Sequence, residues 1–403
     1  MNHSERIGGD LCVKCRGGRY LCGLSYCPLL VRQLSAPFKI KIGRELYGSS
    51  PPSFFVGRAG YPRVRLYPAA PPEVGDTSVY ENPKSWLNMP LENFLALRLS
   101  LYRASLQRRV EDAFNPPRDL QELQLLALSQ SPVDTEVVFE KEPRGAYFNE
   151  YTPPMGPAAP AKSVRVVGQP KIPKRAERLY GDRDVKASEA VVEMYASGLD
   201  VSYISRALSA GALGRNRRLV PTRWAITAVD KILSDYLLQR VREFPEIDGY
   251  YLYARRTVGN LFIAILAPSK WAYEWGEAFE PHTVWNPGDS VVIETDYELY
   301  HGRRDYPEIG GCYYAARLAM AEALYRMRRQ AAAILWREVY TGFTIPTGVW
   351  WVRENVREML RGEPARFDTL EDVLEAASYL MKLPLENWLA MSRIVPLLKS
   401  RLL

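Results

Sequence analysis

Histidine and cysteine are scarce in this chain, which limits the chemistry that it can carry. Its 403 residues include 3 histidines and 5 cysteines, and the sequence shows no catalytic triad, P-loop or dinucleotide-binding fingerprint. No apolar run is long enough to cross a bilayer, and Met1 to Asp10 lacks the apolar core of a secretory signal. We therefore expect a cytoplasmic protein without a membrane partner and outside the standard enzyme classes.

Four of the five cysteines lie in one short segment, LCVKCRGGRYLCGLSYCP. Cys12, Cys15, Cys22 and Cys27 have the spacing C-x2-C-x6-C-x4-C, which is typical of a thiolate metal site. A reducing compartment disfavours disulfides between them. The spacing predicts a structural zinc ion with four protein ligands and no open position for a substrate. Redox-active cysteines and an iron–sulfur cluster are the alternatives that the spacing leaves open.

Length and composition are those of a folded protein with an ordinary core. Hydrophobic residues make up 47% of the chain and charged residues 25%, and 403 residues suffice for two domains with a small appendage. We predict an α+β protein in three parts. These are a zinc knuckle over residues 1–33, a larger mixed domain over residues 34–285, and a smaller domain of a sheet and helices over residues 286–403.

The charge balance is basic, with a net charge of +7, and arginine far outnumbers lysine. Guanidinium groups can bind phosphate through two donors at once, so the excess favours a polyanionic partner such as DNA. If the charge were spread evenly over the surface, it would contribute only to solubility. Each arginine-rich loop could likewise be an ordinary solvated surface loop. The predicted nucleic-acid contacts stand beside glycines or before a helix: Arg58, Arg63, Arg215, Arg217, Arg218 and Arg223.

The second half of the chain begins with a predicted hairpin, in which Tyr250 to Arg255 alternates and Leu261 to Ala267 is wholly apolar. A further strand, Ser290 to Tyr297, places Glu294 and Asp296 on one face. Two such carboxylates could hold a catalytic Mg²⁺ ion. An exposed polar face of the strand is the simpler interpretation, and we favour it.

Apolar residues at helical spacing predict three long helices. The first runs from Asn88 to Phe114. The second runs from Arg223 to Val241 and has Trp224 on its apolar stripe. The third, from Cys312 to Val339, is the longest and is rich in alanine, which permits close helix packing.

Four segments together resemble the archaeal Nre family of DNA repair proteins. They are the cysteine-bearing LCGLSYCP, SPPSFFVGRAGYP (Ser50 to Pro62), RRLVPTRWAITAVD (Arg217 to Asp230) and GGCYYAARLAMAEAL (Gly310 to Leu324). The likeness extends over both halves of the chain. It implies a part in the DNA damage response, a zinc-binding N-terminus, and partnership with DNA and other repair proteins. It supplies no catalytic mechanism.

In the NreA branch, the resemblance also implies a C-terminal motif that docks on the sliding clamp PCNA. Such a box needs a glutamine, an aliphatic residue and then a pair of aromatic residues. This chain ends SRIVPLLKSRLL, without a glutamine or an aromatic residue after Trp388. We therefore do not expect it to bind PCNA through that box.

The function expected from the sequence is that of a zinc-containing DNA repair factor that binds nucleic acid through arginine-rich surfaces. Two other classes of function stay open. A metal-dependent enzyme would cleave DNA or process its adducts at Glu294 and Asp296. An RNA-binding or RNA-processing protein would share every electrostatic feature of the sequence.

Overall fold

The computed structural model describes residues 8–24, 26–31 and 42–400. The chain forms two compact units, one made of Leu34–Leu233 and the other of Met1–Gln33 together with Ser234–Leu403. Each unit contains a six-stranded sheet and several helices, so the α+β class expected from the sequence is confirmed. The compact units and the predicted domains divide the chain differently, and the domain bounds stay a prediction.

Helices and strands alternate irregularly along the chain. The strands are β1 (Glu45–Ser50), β2 (Ser53–Val56), β3 (Arg63–Ala70), β4 (Tyr102–Arg109), β5 (Val133–Phe139), β6 (Ala158–Val166), β7 (Tyr250–Thr257), β8 (Asn260–Ala267), β9 (Ala272–Phe279), β10 (Val292–Glu298), β11 (Ala332–Val339) and β12 (Ala365–Phe367). The α-helices are α1 (Gly9–Cys15), α2 (Pro28–Val31), α3 (Pro83–Trp86), α4 (Leu91–Leu99), α5 (Arg118–Ala127), α6 (Lys174–Gly181), α7 (Ala187–Ala196), α8 (Val201–Ser209), α9 (Thr222–Val241), α10 (Gly311–Met327), α11 (Val349–Met359), α12 (Leu370–Ser378), α13 (Leu385–Met391) and α14 (Ile394–Lys399). Short 3₁₀ helices occupy Ser78–Glu81 and Val110–Ala113. Within the described ranges, no helix combines the length and the apolar character that a bilayer-spanning segment needs.

The sheet of the Leu34–Leu233 unit has the strand order β1-β5-β6-β4-β3-β2. Its neighbouring strands are antiparallel except for β4 and β6, which are parallel. Helix α5 covers part of this sheet because its apolar residues recur on one side, and Leu120, Leu123 and Leu126 are all buried in the core beside it. Each of these leucines contributes about 1.5–3 kcal/mol by leaving water.

The sheet of the other unit has the order β10-β9-β11-β8-β7-β12. Strands β8, β9 and β11 are buried at every position, which agrees with the apolar run of β8, whereas β9 and β11 also bury charged residues, Glu274 and Glu277 on β9 and Arg337 and Glu338 on β11. The predicted hairpin is confirmed as β7 and β8, which are antiparallel. Gly259 in its turn has φ +60°, and a Cβ there would lie 2.9 Å from the Cβ of Phe343, so only glycine fits.

Two of the long helix predictions were wrong. The helix predicted from Asn88 to Phe114 ends at Leu99, and the chain continues as strand β4, in which Leu106 lies opposite Leu66 of β3. Apolar residues that fit a helical spacing can also fit the two-residue period of a strand, and here pairing with β3 decides the outcome.

The helix predicted from Cys312 to Val339 is also divided. Helix α10 ends at Met327, after which Arg328 takes a left-handed conformation with φ 54°. Residues 332–339 then form β11 between β8 and β9. Alanine favours helix only weakly, and burial on both faces of a sheet overrides that preference. The predicted helix from Arg223 to Val241 is confirmed as α9, which begins at Thr222.

Candidate functional site

An exposed pair of aromatic side chains marks the surface of the Leu34–Leu233 unit. The rings of Tyr61 and Trp224 lie with their centroids 5.3 Å apart and tilted by 60°. Their side chains are 47% and 44% exposed, although aromatic residues usually lie largely inside a folded protein. Exposed ring faces of this kind are the surfaces on which unpaired nucleotide bases stack.

Two distant sequence segments meet to form this pair. Tyr61 stands in the loop after β2, where the Arg63 amide donates to the Gly60 carbonyl at 2.9 Å and closes a turn. Trp224 stands in the first turn of α9. A hydrogen bond from the Val56 amide to Thr222 Oγ1, 2.8 Å long, ties the end of β2 to the start of that helix.

Three of the six predicted arginines accompany the aromatic pair. Arg58 lies in the loop that carries Tyr61, Arg63 is the first residue of β3 directly after that loop, and both are exposed. Arg223 precedes Trp224, and its guanidinium lies 4.1 Å from the centroid of the Tyr151 ring. Guanidinium groups beside exposed rings supply the contacts to phosphate that accompany base stacking in single-strand binding. We call Arg58, Tyr61, Arg63, Arg223 and Trp224 the aromatic–arginine surface.

The other three arginines belong to the loop before α9 and have different environments. Arg215 and Arg218 are exposed. Arg217 is only 2% exposed, and its guanidinium donates to the carbonyls of Gly214, Tyr180 and Asp182. Burial lowers the pKa of Arg217 to about 10, with a further contribution from the nearby Arg183. Because protein carbonyls occupy these donors, Arg217 holds the loop together from within.

The sequence pattern did not reveal the aromatic part of this surface. Helical spacing placed Trp224 on the apolar stripe of α9, yet the structure exposes it, and Tyr61 was only one member of a family-like segment. The available signal was the presence of an aromatic residue one or two positions from an arginine in two segments that resemble the same family. Only the fold shows that those segments are adjacent.

The four N-terminal cysteines converge on one small cavity in the other unit. Cys12 and Cys15 lie on α1, and a volume of about 20 Å³ is lined by both of them together with Cys22 and Cys27. All four are free thiols. Gly17 has φ +67°, and a Cβ there would lie 3.3 Å from the Cys27 sulfur, so glycine allows the close approach.

The electrostatics of the cysteines reflect this proximity. Burial, together with the charges of Cys27, Cys15 and Cys22, raises the pKa of Cys12 to about 11. Burial also raises the pKa of Cys27. Within residues 8–24, 26–31 and 42–400, no group of three or more Cys, His, Asp or Glu side chains has an arrangement that could hold a metal ion.

Arg16 joins the cysteine segment to the sheet of the same unit. It is 3% exposed, and it donates to Glu277 at 2.6 Å and to Glu294 at 2.9 Å. Glu277 on β9 is fully buried and also accepts from Arg337 at 2.8 Å. Burial raises the pKa of Glu277, but the two guanidinium groups outweigh burial and the pKa is lowered overall.

The pair of carboxylates considered for Mg²⁺ is engaged by arginines. Glu294 accepts from Arg16, as described above. Asp296 forms an ion pair with Arg303 and also accepts the Glu308 amide at 2.7 Å. Arginine therefore supplies positive charge to both carboxylates, as a metal ion would.

Sequence comparisons cover almost the whole chain. A family model described as archaeal Nre, N-terminal, matches residues 21–286, and one described as archaeal Nre, C-terminal, matches residues 298–403. The chain belongs to the archaeal Nre family. The resemblance predicted from the four segments is thus confirmed. The N-terminal Nre match includes Tyr61, Trp224 and the six predicted arginines, and it begins between the second and third cysteines of the knuckle.

The Nre relatives are similar over most of their length. The chain is 45% identical to the DNA repair protein NreB of Archaeoglobus fulgidus, over 95% of this chain and 96% of the relative. It is 37% identical to the DNA repair protein NreA of the same organism, over 91% and 93% of the two chains. The DNA repair protein NreA of Haloferax volcanii is 35% identical over 84% of each chain. No solved structure matches this chain.

Proposed function

We propose that this Nre protein acts in DNA repair, as part of the DNA damage response, by binding DNA through the aromatic–arginine surface. The observation that carries the proposal is the exposed Tyr61–Trp224 pair with arginines beside it. The names of its relatives, which are DNA repair proteins, support the same role. Other repair proteins are its proposed partners.

The chemistry of this surface favours unpaired bases over an intact duplex. A base must leave the helical stack before an aromatic ring can cover its face, and damaged or single-stranded DNA offers such bases readily. Stacking of this kind contributes about 1–3 kcal/mol per base, and phosphate contacts from arginine make the binding dependent on salt. RNA presents the same bases and phosphates, and it is the second candidate ligand.

We also propose that Cys12, Cys15, Cys22 and Cys27 hold a structural zinc ion. Four thiols lining one cavity match the donor set that zinc prefers in closed sites, and the deprotonated thiolates would be its ligands. When bound, zinc would cross-link the segment and supply folding free energy, with no position left for a substrate. We do not propose that this protein docks on PCNA through a C-terminal box.

The test measures binding of the full chain to fluorescein-labelled oligonucleotides. Wild type, Trp224→Ala and Tyr61→Ala are compared on single-stranded DNA, duplex DNA and single-stranded RNA at low and high salt. Tyr379→Ala is the matched control because Tyr379 is 78% exposed and lies in the other unit. We expect each variant of the pair to weaken single-strand binding about tenfold, since 1.4 kcal/mol corresponds to a factor of ten. Equal affinities for wild type and both variants would contradict the proposal. Tighter binding to RNA than to DNA would identify RNA as the ligand instead.

A further inference from the structure

The sheet of the Leu34–Leu233 unit divides between two of its strands. The parallel strands β4 and β6 pair at only three positions, where Arg103 to Ser105 lie beside Ala158 to Pro160. Both strands then continue, β4 to Arg109 and β6 to Val166, without further pairing to each other in the described part of the chain. An irregularity in the β5–β6 ladder gives β6 an extra residue directly after this point. A bulge of this kind bends a strand and increases its twist, which explains the separation.

A groove with a volume of about 910 Å³ opens where the strands separate. Gln107 and Arg108 of β4 form one wall, and Lys162 and Val164 of β6 form the other. Leu123 of α5 contributes to the floor. We call this space the β4–β6 groove.

Backbone groups on both walls face into the groove. The Val110 amide donates to the Pro62 carbonyl. The backbone amide and carbonyl groups of alternate residues along β4 point towards β3, and by this alternation those of Gln107 point away from β3. The Gln107 carbonyl accepts from the Arg108 guanidinium at 2.8 Å instead of from a strand partner. On the other wall, the Val167 amide donates to Asp134 of β5, and the same alternation turns the backbone of Val164 away from β5.

The rim of the groove carries an excess of positive charge. Arg65, Lys141 and Lys162 line the groove and are exposed. None of the three forms an ion pair with another of the residues that the structure describes. Arg108 is paired with Asp119, which leaves Glu140 as the remaining carboxylate of the lining. An occupant with acidic side chains would therefore be complementary to the groove.

We propose that the β4–β6 groove binds an extended acidic peptide segment of a protein partner as an additional strand. Two open strand edges present amide and carbonyl groups at strand spacing, which a peptide backbone can pair and a nucleic acid cannot. Because β4 and β6 are parallel, a strand inserted between them has the same direction, parallel or antiparallel, relative to both. Nucleic acid is disfavoured because Tyr67, the aromatic residue of the lining, already packs against Phe55 at 5.7 Å and Arg103 at 5.1 Å.

The experiment uses a fluorescein-labelled octapeptide of alternating glutamate and valine, with a lysine–valine octapeptide and unlabelled octathymidylate as comparisons. We expect the acidic peptide to bind the full chain, and the double variant Arg65→Glu/Lys162→Glu to bind it at least tenfold more weakly. Arg165→Glu is the control, since Arg165 lies on the same strand outside the lining of the groove. Absence of binding by the acidic peptide, or equal weakening by the control variant, would overturn the proposal. Displacement of the peptide by octathymidylate would overturn it in favour of nucleic acid.

Hydrogen exchange measured by mass spectrometry distinguishes an inserted strand from a peptide held by charge alone. A bound strand should slow exchange in segments 104–110 and 161–167 of the wild-type chain, because the edge amides acquire partners. Binding without that protection would overturn strand insertion. Gln107→Pro removes one amide that faces the groove and should weaken binding, whereas Tyr47→Pro should not, because β1 lies at the far edge of the same sheet.

Discussion

Arg16 donates to Glu277 across 2.6 Å, although the two residues are 261 positions apart in the sequence. The side chain of Arg16 is 3% exposed and that of Glu277 is fully buried. Because Arg16 directly follows Cys15, this ion pair fastens the cysteine segment to β9, which has a neighbouring strand on each side in its sheet. Helix α1, which carries Cys12 and Cys15, is therefore held against this sheet by a buried ion pair at its C-terminal end.

The first prediction concerns this anchor. Arg16→Ala leaves Glu277 and Glu294 without their shared cation, and loss of one partner from a buried pair typically costs about 3–5 kcal/mol. We expect the lower end of that range because Glu277 keeps Arg337. Urea unfolding monitored by circular dichroism measures the change, and Lys14→Ala is the control on an exposed neighbour. Equal stability of the Arg16→Ala variant and wild type would show that the pair is dispensable.

The second prediction concerns the metal. Wild-type protein purified without chelator should contain a single zinc ion per chain, and Cys15→Ser should lose it and become sensitive to trypsin within the N-terminal segment. Cys312→Ser is the matched control, because Cys312 is a buried thiol of α10 that does not line the cavity of the four cysteines. Elemental analysis and limited proteolysis provide the two measurements. Zinc-free wild-type protein with a protease-resistant N-terminus would exclude the structural role.

The third prediction separates the three arginines of the loop before α9. Arg217→Ala should lower the free energy of unfolding by about 1–3 kcal/mol, because it leaves the carbonyls of Gly214, Tyr180 and Asp182 without this buried donor. Arg215→Ala and Arg218→Ala should change stability by less than about 0.5 kcal/mol, since both are exposed. Their effect should instead appear as weaker DNA binding with a shallower salt dependence. If all three variants were equally stable, the interior role assigned to Arg217 would be wrong.

The fourth prediction addresses the possibility of metal-dependent catalysis. Because Arg16 and Arg303 already engage Glu294 and Asp296, we expect no Mg²⁺-dependent product when the wild-type protein is incubated with branched, damaged or single-stranded DNA and RNA. Gel electrophoresis with and without Mg²⁺ makes the measurement. A product that appears with wild type and disappears with Asp296→Asn would establish the enzymatic alternative. The companion variant is Arg303→Ala, because it removes the cation that pairs with Asp296 and keeps the Asp296 carboxylate.

The sequence by itself determined the features that depend on local order along the chain. The spacing of the cysteines, the alternation of β7, the apolar run of β8 and the periodicity of α9 are all properties of neighbouring residues, so they could be read without a fold. The family, too, was evident from four contiguous segments. Each of these predictions uses information that lies within about 20 residues, the scale over which periodicity acts.

Only the tertiary structure decided which side chains meet and which are buried. It exposed Trp224 beside Tyr61, enclosed Arg217, and joined Arg16 to Glu277, and none of these contacts has a signal in local spacing. It also showed that the last part of a predicted helix forms β11, because pairing with β8 and β9 buries these residues in the sheet. The physical reason is that burial and pairing are set by residues far away in sequence, and their free energies exceed the small differences in intrinsic helix or strand preference.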